Sequence, residues 1–133
     1  MIIDATNLIL GRLASFAAKK SLLGETIEII NCENTVISGR NLVEKYLIKQ
    51  KRGTHKGPFF PRQAHMLVKR TIRGMLPYKQ YRGKQALGRI QCHIGKPDSI
   101  TGKAETLKEI DVTQLGIPYF MSVGKICEQL GGK

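Results

Sequence analysis

The side chains in this sequence whose number and spacing point to chemistry are cations. Lys49, Lys51, Arg52, Lys56, Arg62, Lys69, Arg70, Arg73, Lys79, Arg82, Lys84 and Arg89, with Lys45 and Lys96 outside them, all fall within residues 45–97, a stretch that contains no Asp or Glu. These 14 come from a chain total of 22 Lys and Arg against 10 Asp and Glu, so the remainder, with 8 cations and 10 acids, is close to neutral. The whole net charge of +12 is therefore concentrated in one central block. A merely solvated surface mixes both signs, so a long acid-free run marks a polyanionic partner. Lys and Arg bind such a partner by neutralising phosphates and releasing counterions, and Arg adds a planar fork suited to bidentate contact. The twelve named first are the candidate contact residues. Arg12, near the start of an expected helix, is a further possibility.

Other chemistries lack their residues. A phosphate-cradling loop needs Gly-x-x-x-x-Gly-Lys-Ser/Thr. Gly102-Lys103 is followed by Ala104 and has Pro97 at the first glycine position, while Gly124-Lys125 is followed by Ile126 and has Tyr119 there. The dinucleotide-binding glycine fingerprint is missing after the first apolar run, which continues ATNLILGRL. His55, His65 and His93 have no carboxylate close in sequence, and the basic surroundings of His55 and His65 repel a divalent cation. They read as phosphate-facing or structural. Ser38 lies in Val-Ile-Ser-Gly-Arg, not in a Gly-x-Ser-x-Gly elbow, and reads as a turn residue. Cys32, Cys92 and Cys127 are odd in number and widely spaced, with no Cys-x-x-Cys, which points to free thiols in a reducing compartment. No catalytic residue, metal site or cofactor is expected. With 6% aromatics and no Trp, base stacking is not expected to be the main binding device.

These cations need a scaffold. The 133 residues suffice for one domain with a real core. Residues 1–5 and 26–31 read as strands, with further strands at 35–37 and 90–94. Residues 8–23 carry Ile9, Leu13, Phe16 and Leu23 at helical spacing; Thr6 and Asn7 are cap types and Gly24 a stop. Asn41 and Glu44 have capping-box spacing for a helix reaching Gln50. Residues 51–60 read as a loop. Next, Ala64, Leu67, Val68, Thr71, Ile72 and Met75 form one helical stripe, with Arg62, Lys69 and Arg73 off it and Arg70 at its flank. Pro61 suits that helix's first turn and Gly74 its end. Residues 77–83 read as irregular, 84–89 as a short helix, 109–112 as an edge strand or arm, and 123–130 as a last helix. The order of elements predicts an α/β layer architecture with at least one parallel crossover. No signal segment and no apolar run of membrane-spanning length is present, so a cytoplasmic protein is expected, and a membrane ranks last among anionic partners.

Several segments together resemble a known family. They are Ile3-Asp4-Ala5, Leu10-Gly11-Arg12-Leu13-Ala14-Ser15, Val36-Ile37-Ser38-Gly39, Gly57-Pro58-Phe59-Phe60-Pro61-Arg62 and, most specifically, Lys69-Arg70-Thr71-Ile72-Arg73-Gly74-Met75-Leu76-Pro77. In these the chain is similar, over nearly its whole length, to the universal large-subunit ribosomal protein family numbered thirteen, in its archaeal form. The resemblance implies a three-layer α/β/α domain over residues 1–133 with a four-stranded, largely parallel sheet. It also implies binding to large-subunit ribosomal RNA beside neighbouring ribosomal proteins, without catalysis. Residues 45–97 would then be a basic loop-helix-loop block inserted in the domain. Two other readings stay open at this point: a free-standing RNA-binding regulator, and an RNA-processing enzyme using a histidine.

Overall fold

A computed structural model describes residues 1–51 and 60–132. The chain forms β1 (Ile2–Asp4), α1 (Leu10–Leu22), β2 (Ile27–Ile30), β3 (Val36–Ser38), α2 (Leu42–Lys51), α3 (Ala64–Gly74), α4 (Tyr81–Gly88), β4 (Ile90–Cys92), α5 (Val112–Leu115), β5 (Phe120–Ser122) and α6 (Val123–Gln129). It is a mixed α/β domain. The expected loop at 51–60 falls mostly outside the described residues; Lys51 closes α2.

β1, β2 and β4 form a parallel sheet in the order β1-β2-β4, with Ile3 opposite Ile29 and Ile29 opposite Cys92. β3 and β5 form a separate antiparallel pair, Ile37 opposite Met121. This corrects the four-stranded sheet. Where a fourth parallel strand would pair along β1, there is a single parallel bridge from Ile3 to Glu105, made by Asp4 N–H to Glu105 C=O at 3.0 Å and Glu105 N–H to Ile2 C=O at 2.9 Å. The sequence there, Gly102-Lys103-Ala104-Glu105, lacks the β-branched residues that fit a pleated surface, so the pairing stops at one rung.

Register sets the two faces of the sheet. Ile3, Ile27, Ile29 and Ile90, all fully buried, point to one side and meet the apolar faces of α1 and α3. Glu28 and Gln91 point to the other, where Gln91 is exposed. Helix α1 packs against α3 and α4, and Ala14, Ala17 and Ala18 allow the close approach. Helix α6 packs on the 3-10 turn Cys32–Asn34 and on α3 and α2.

Several local expectations change. Thr6 and Asn7 do not cap α1, whose N-cap is Ile9 without a side-chain bond. Thr6 instead gives its N–H and its hydroxyl to Asp4 Oδ1, at 3.0 and 2.7 Å, and Asn7 turns the chain at φ +60°. Gly24, at φ +102°, does close α1. Asn41 is at φ +53°, outside the extended region of an N-cap. Pro61 precedes α3, which begins after Gln63. Residues 108–110 form a 3-10 turn and α5 follows, in place of an edge strand; β5 had no strong alternation to announce it. Helix α4 starts at Tyr81, three residues before the expected point.

Asp4 ties the end of β1 to the end of β2. Burial opposes its charge, but bonds from Asn31 Nδ2 at 3.0 Å and from Thr6 hold the carboxyl below the usual carboxylate range. Asp4→Ala should cost about 1–2 kcal/mol at neutral pH, the low end for charge-assisted bonds because the site is only half-buried. A folded-state pKa below the free value of 3.8 means this stabilisation is complete above that pH and is lost as pH falls through the lowered value. Urea unfolding of wild type and variant should therefore differ at pH 7 and converge only once the pH has fallen below the lowered Asp4 value.

Candidate nucleic-acid interface

Helix α3 has two faces. Ala64, Leu67, Val68 and Ile72 are buried against α1 and β4. Met66, Lys69, Arg70 and Arg73 follow one another at i, i+3, i+4 and i+7 on the other side. The expected stripe is right except at its end: Met75 is exposed and Leu76 takes the buried position instead. The helix stops at Gly74 with Met75 in a right-handed conformation, and the following turn changes the phase. Gly74 thus ends the helix without a left-handed cap.

The turn at 75–80 displays Lys79 and leads into α4, which carries Arg82 and Lys84; all three are exposed. Gly83 holds this geometry, because a Cβ there would collide with the Pro77 carbonyl. Neither α3 nor α4 has an acidic residue in its first turn or a side-chain N-cap bond, so both N-terminal ends keep their partial positive charge. The ion pair shown between described residues, Lys20–Glu25 at 2.9 Å, lies at the far end of α1.

Aromatic rings set the direction of several cations. The Arg70 guanidinium lies 4.7 Å from the Phe60 ring centre and that of Arg73 lies 4.4 Å from Tyr78. Lys49 sits 4.7 Å from the Tyr46 ring and 6.0 Å from Phe60, and Tyr46 meets Phe60 edge-on at 5.3 Å. Phe60 is therefore a hub at which Lys49, from α2, and Arg70, from α3, converge. Each cation held against a ring is worth about 0.5–1 kcal/mol at an exposed site.

Between α3 and α4 an open groove of about 420 Å³ is floored by Phe60, Met66 and Leu87 and rimmed by Lys69, Arg70 and Arg73. Not every candidate cation belongs to it. Arg62 is exposed beside Gly131, after α6. Arg89 is half-buried and donates from Nη1 to the Ser21 carbonyl at 3.2 Å, bracing α4 against the end of α1. Arg12 is exposed in the first turn of α1. Arg52, Lys56 and the side chain of Lys51 lie outside the described residues, as does His55. His65 leaves Nδ1 buried without a partner among the described residues, and His93 lends its backbone to the β4 ladder, bonding Ile29 and Cys32. The thiols are free. A bond from Cys32 holds the Cys92 thiol low against the effect of burial, with the Lys69 ammonium assisting, while the same bond pushes Cys32 up. Burial also raises Cys127 and Tyr46.

The family model for ribosomal protein L13 matches residues 1–99, a span that includes the whole acid-free block. The chain belongs to the ribosomal protein L13 family. It is 41% identical over 136 residues to the large ribosomal subunit protein uL13 of Methanococcoides burtonii, covering 99% of this chain and 98% of the relative. The Methanopyrus kandleri protein of the same name is 40% identical over 136 residues, covering 98% of this chain and 86% of the relative. That of Archaeoglobus fulgidus is 45% identical over 105 residues, covering 77% and 67%. Full-length similarity of this kind extends the L13 relationship past residue 99.

Within this L13 chain, sequence reasoning found the cations and passed over the rings that aim them. The signal was present: five of the eight aromatic residues, Tyr46, Phe59, Phe60, Tyr78 and Tyr81, lie inside the acid-free block. Averaged over the chain they look sparse. A further stack lies outside the block, with Arg40 4.0 Å from the Tyr119 ring.

Glycine substitutions test the geometry. Gly83→Ala forces apart the Pro77 turn and α4 and should cost about 1–3 kcal/mol, the usual range for overpacking. Gly88→Ala meets nothing within 4 Å and should be neutral or stabilising by about 0.4–1 kcal/mol. Thermal or urea unfolding of both variants measures the contrast.

Proposed function

We propose that this chain is a structural constituent of the large ribosomal subunit, binding folded ribosomal RNA through the outward faces of α3 and α4 and the segments around them. The observation that carries this reading is the acid-free face itself: Lys69, Arg70, Arg73, Arg82 and Lys84 on two anchored helices and Lys79 on the turn between them, with Arg70 and Arg73 held by rings. Cations displayed in this way read phosphates and shape rather than base identity. The relatives' name, large ribosomal subunit protein, supports the same partner.

Lys49, Lys51, Arg52, Lys56 and Arg62 extend the contact from α2 and the segment before α3, and wedge between RNA helices. Arg89 contributes mainly by bracing α4. Residues 1–133 act as one domain in which block 45–97 is the RNA-facing extension, and neighbouring ribosomal proteins meet its other surfaces. In this reading the domain takes the family's three-layer α/β/α form around its three-stranded parallel sheet. The protein acts in the cytoplasmic ribosome, holds RNA in place, and uses no cofactor, metal or small-molecule substrate. No helix among the described residues is long and apolar enough to cross a membrane.

Sedimentation of cell lysate separates this reading from a free-standing regulator. The protein should travel with the large subunit through a salt wash; recovery at the top of the gradient would contradict it. Replacing Arg70 and Arg73 together by Ala should reduce the slope of log K against log salt by about two units, close to one per lost phosphate contact. Tyr78→Leu keeps both charges but frees Arg73, so the slope should hold while affinity drops about two- to fivefold, as the loss of an exposed ring-cation contact implies. Equilibrium binding to large-subunit RNA across a salt series reads both effects.

A further inference from the structure

Phosphate binding does not explain the floor of the α3–α4 groove. Met66 is 50% exposed in the middle of the cationic face, and with Phe60 and Leu87 it forms an apolar surface inside a ring of Lys69, Arg70 and Arg73. A regular RNA duplex offers that surface nothing, since its outside is sugar and phosphate and its deep groove does not admit side chains. An apolar peptide would cover the floor but leave the cations of the rim desolvated without compensating charge. A single ligand class satisfies both parts: a flat apolar ring attached to an anion.

We propose that this groove receives one unpaired nucleotide of the bound RNA, its base lying on Met66, Phe60 and Leu87 and its phosphate held by Lys69 and Arg73. Arg70, whose guanidinium lies 4.7 Å from the Phe60 ring centre, adds its positive charge to the same rim. The groove's 420 Å³ falls within the roughly 300–1,000 Å³ of sites that take small organic groups. Stacking without directed polar groups accepts any base, so the site selects an unpaired nucleotide by its conformation and not by its identity. This inference rests on the RNA-binding reading above and adds to it a site for a base.

Chemical probing of full-length large-subunit RNA, with the intact protein added, tests it. Hydroxyl-radical cleavage reports the backbone, and base-specific modification reports unpaired bases. Met66→Gln removes the apolar floor at nearly constant length and helix propensity, while Met66→Leu keeps it. Wild type and Met66→Leu should protect one unpaired base at least fivefold. Met66→Gln should cut that protection below twofold and leave the backbone footprint unchanged. A protected backbone with no unpaired base that depends on residue 66 would remove the groove proposal and leave RNA binding standing. Absence of any backbone footprint would overturn both.

Discussion

The arrangement depends on the anchoring of α3 by its apolar face. Leu67, Val68 and Ile72 are each almost fully buried, and burial of such side chains stabilises by about 1.5–3 kcal/mol apiece. Against this stands repulsion among Lys69, Arg70 and Arg73, which at helical spacing costs about 0.2–0.5 kcal/mol per pair. Burial wins by several-fold. A helix can therefore hold three cations without a single acid in its sequence neighbourhood, because the energy that fixes it comes from the opposite side. Arg89 and Gly83 then place α4 and its own cations next to it, one by bracing against Ser21 and the other by admitting the Pro77 turn.

The rings solve a second problem. A long cationic side chain on a surface loses rotamer freedom when it binds, and that loss weakens binding. Arg70 on Phe60, Arg73 on Tyr78 and Lys49 on Tyr46 have part of that freedom removed beforehand. The few aromatics near the block thus serve chiefly as supports for charge. The groove beside them is the place where the same apolar surface is left open.

Much of this was legible in the sequence because it is written in local periodicity. The two faces of α3 follow from residues 64–73, and the core strands from the runs at 1–5 and 26–31. Charge segregation needed no structure at all. What was not legible depends on contacts distant in sequence. Met75 and Leu76 exchanged roles because a turn shifted the phase after Gly74. Thr6 looked like a helix cap and instead serves Asp4, whose Oδ1 also accepts from Asn31, 27 residues away. The fourth strand shrank to the Glu105 bridge, and β5 arose by pairing with β3. Arg89 carried the same charge as its neighbours, yet its position against α1 turned it inward. Family resemblance supplied the partner but not these details.

The central claim is that the face carrying Lys69, Lys79 and Lys84 is buried in RNA within the assembled particle. Amine-reactive labelling of intact large subunits, quantified lysine by lysine against the free chain, tests it most directly. Lys69, Lys79 and Lys84 should lose most of their reactivity on assembly, and treatment of the particle with ribonuclease should restore it. Equal labelling of these three in the free and assembled states would contradict the account.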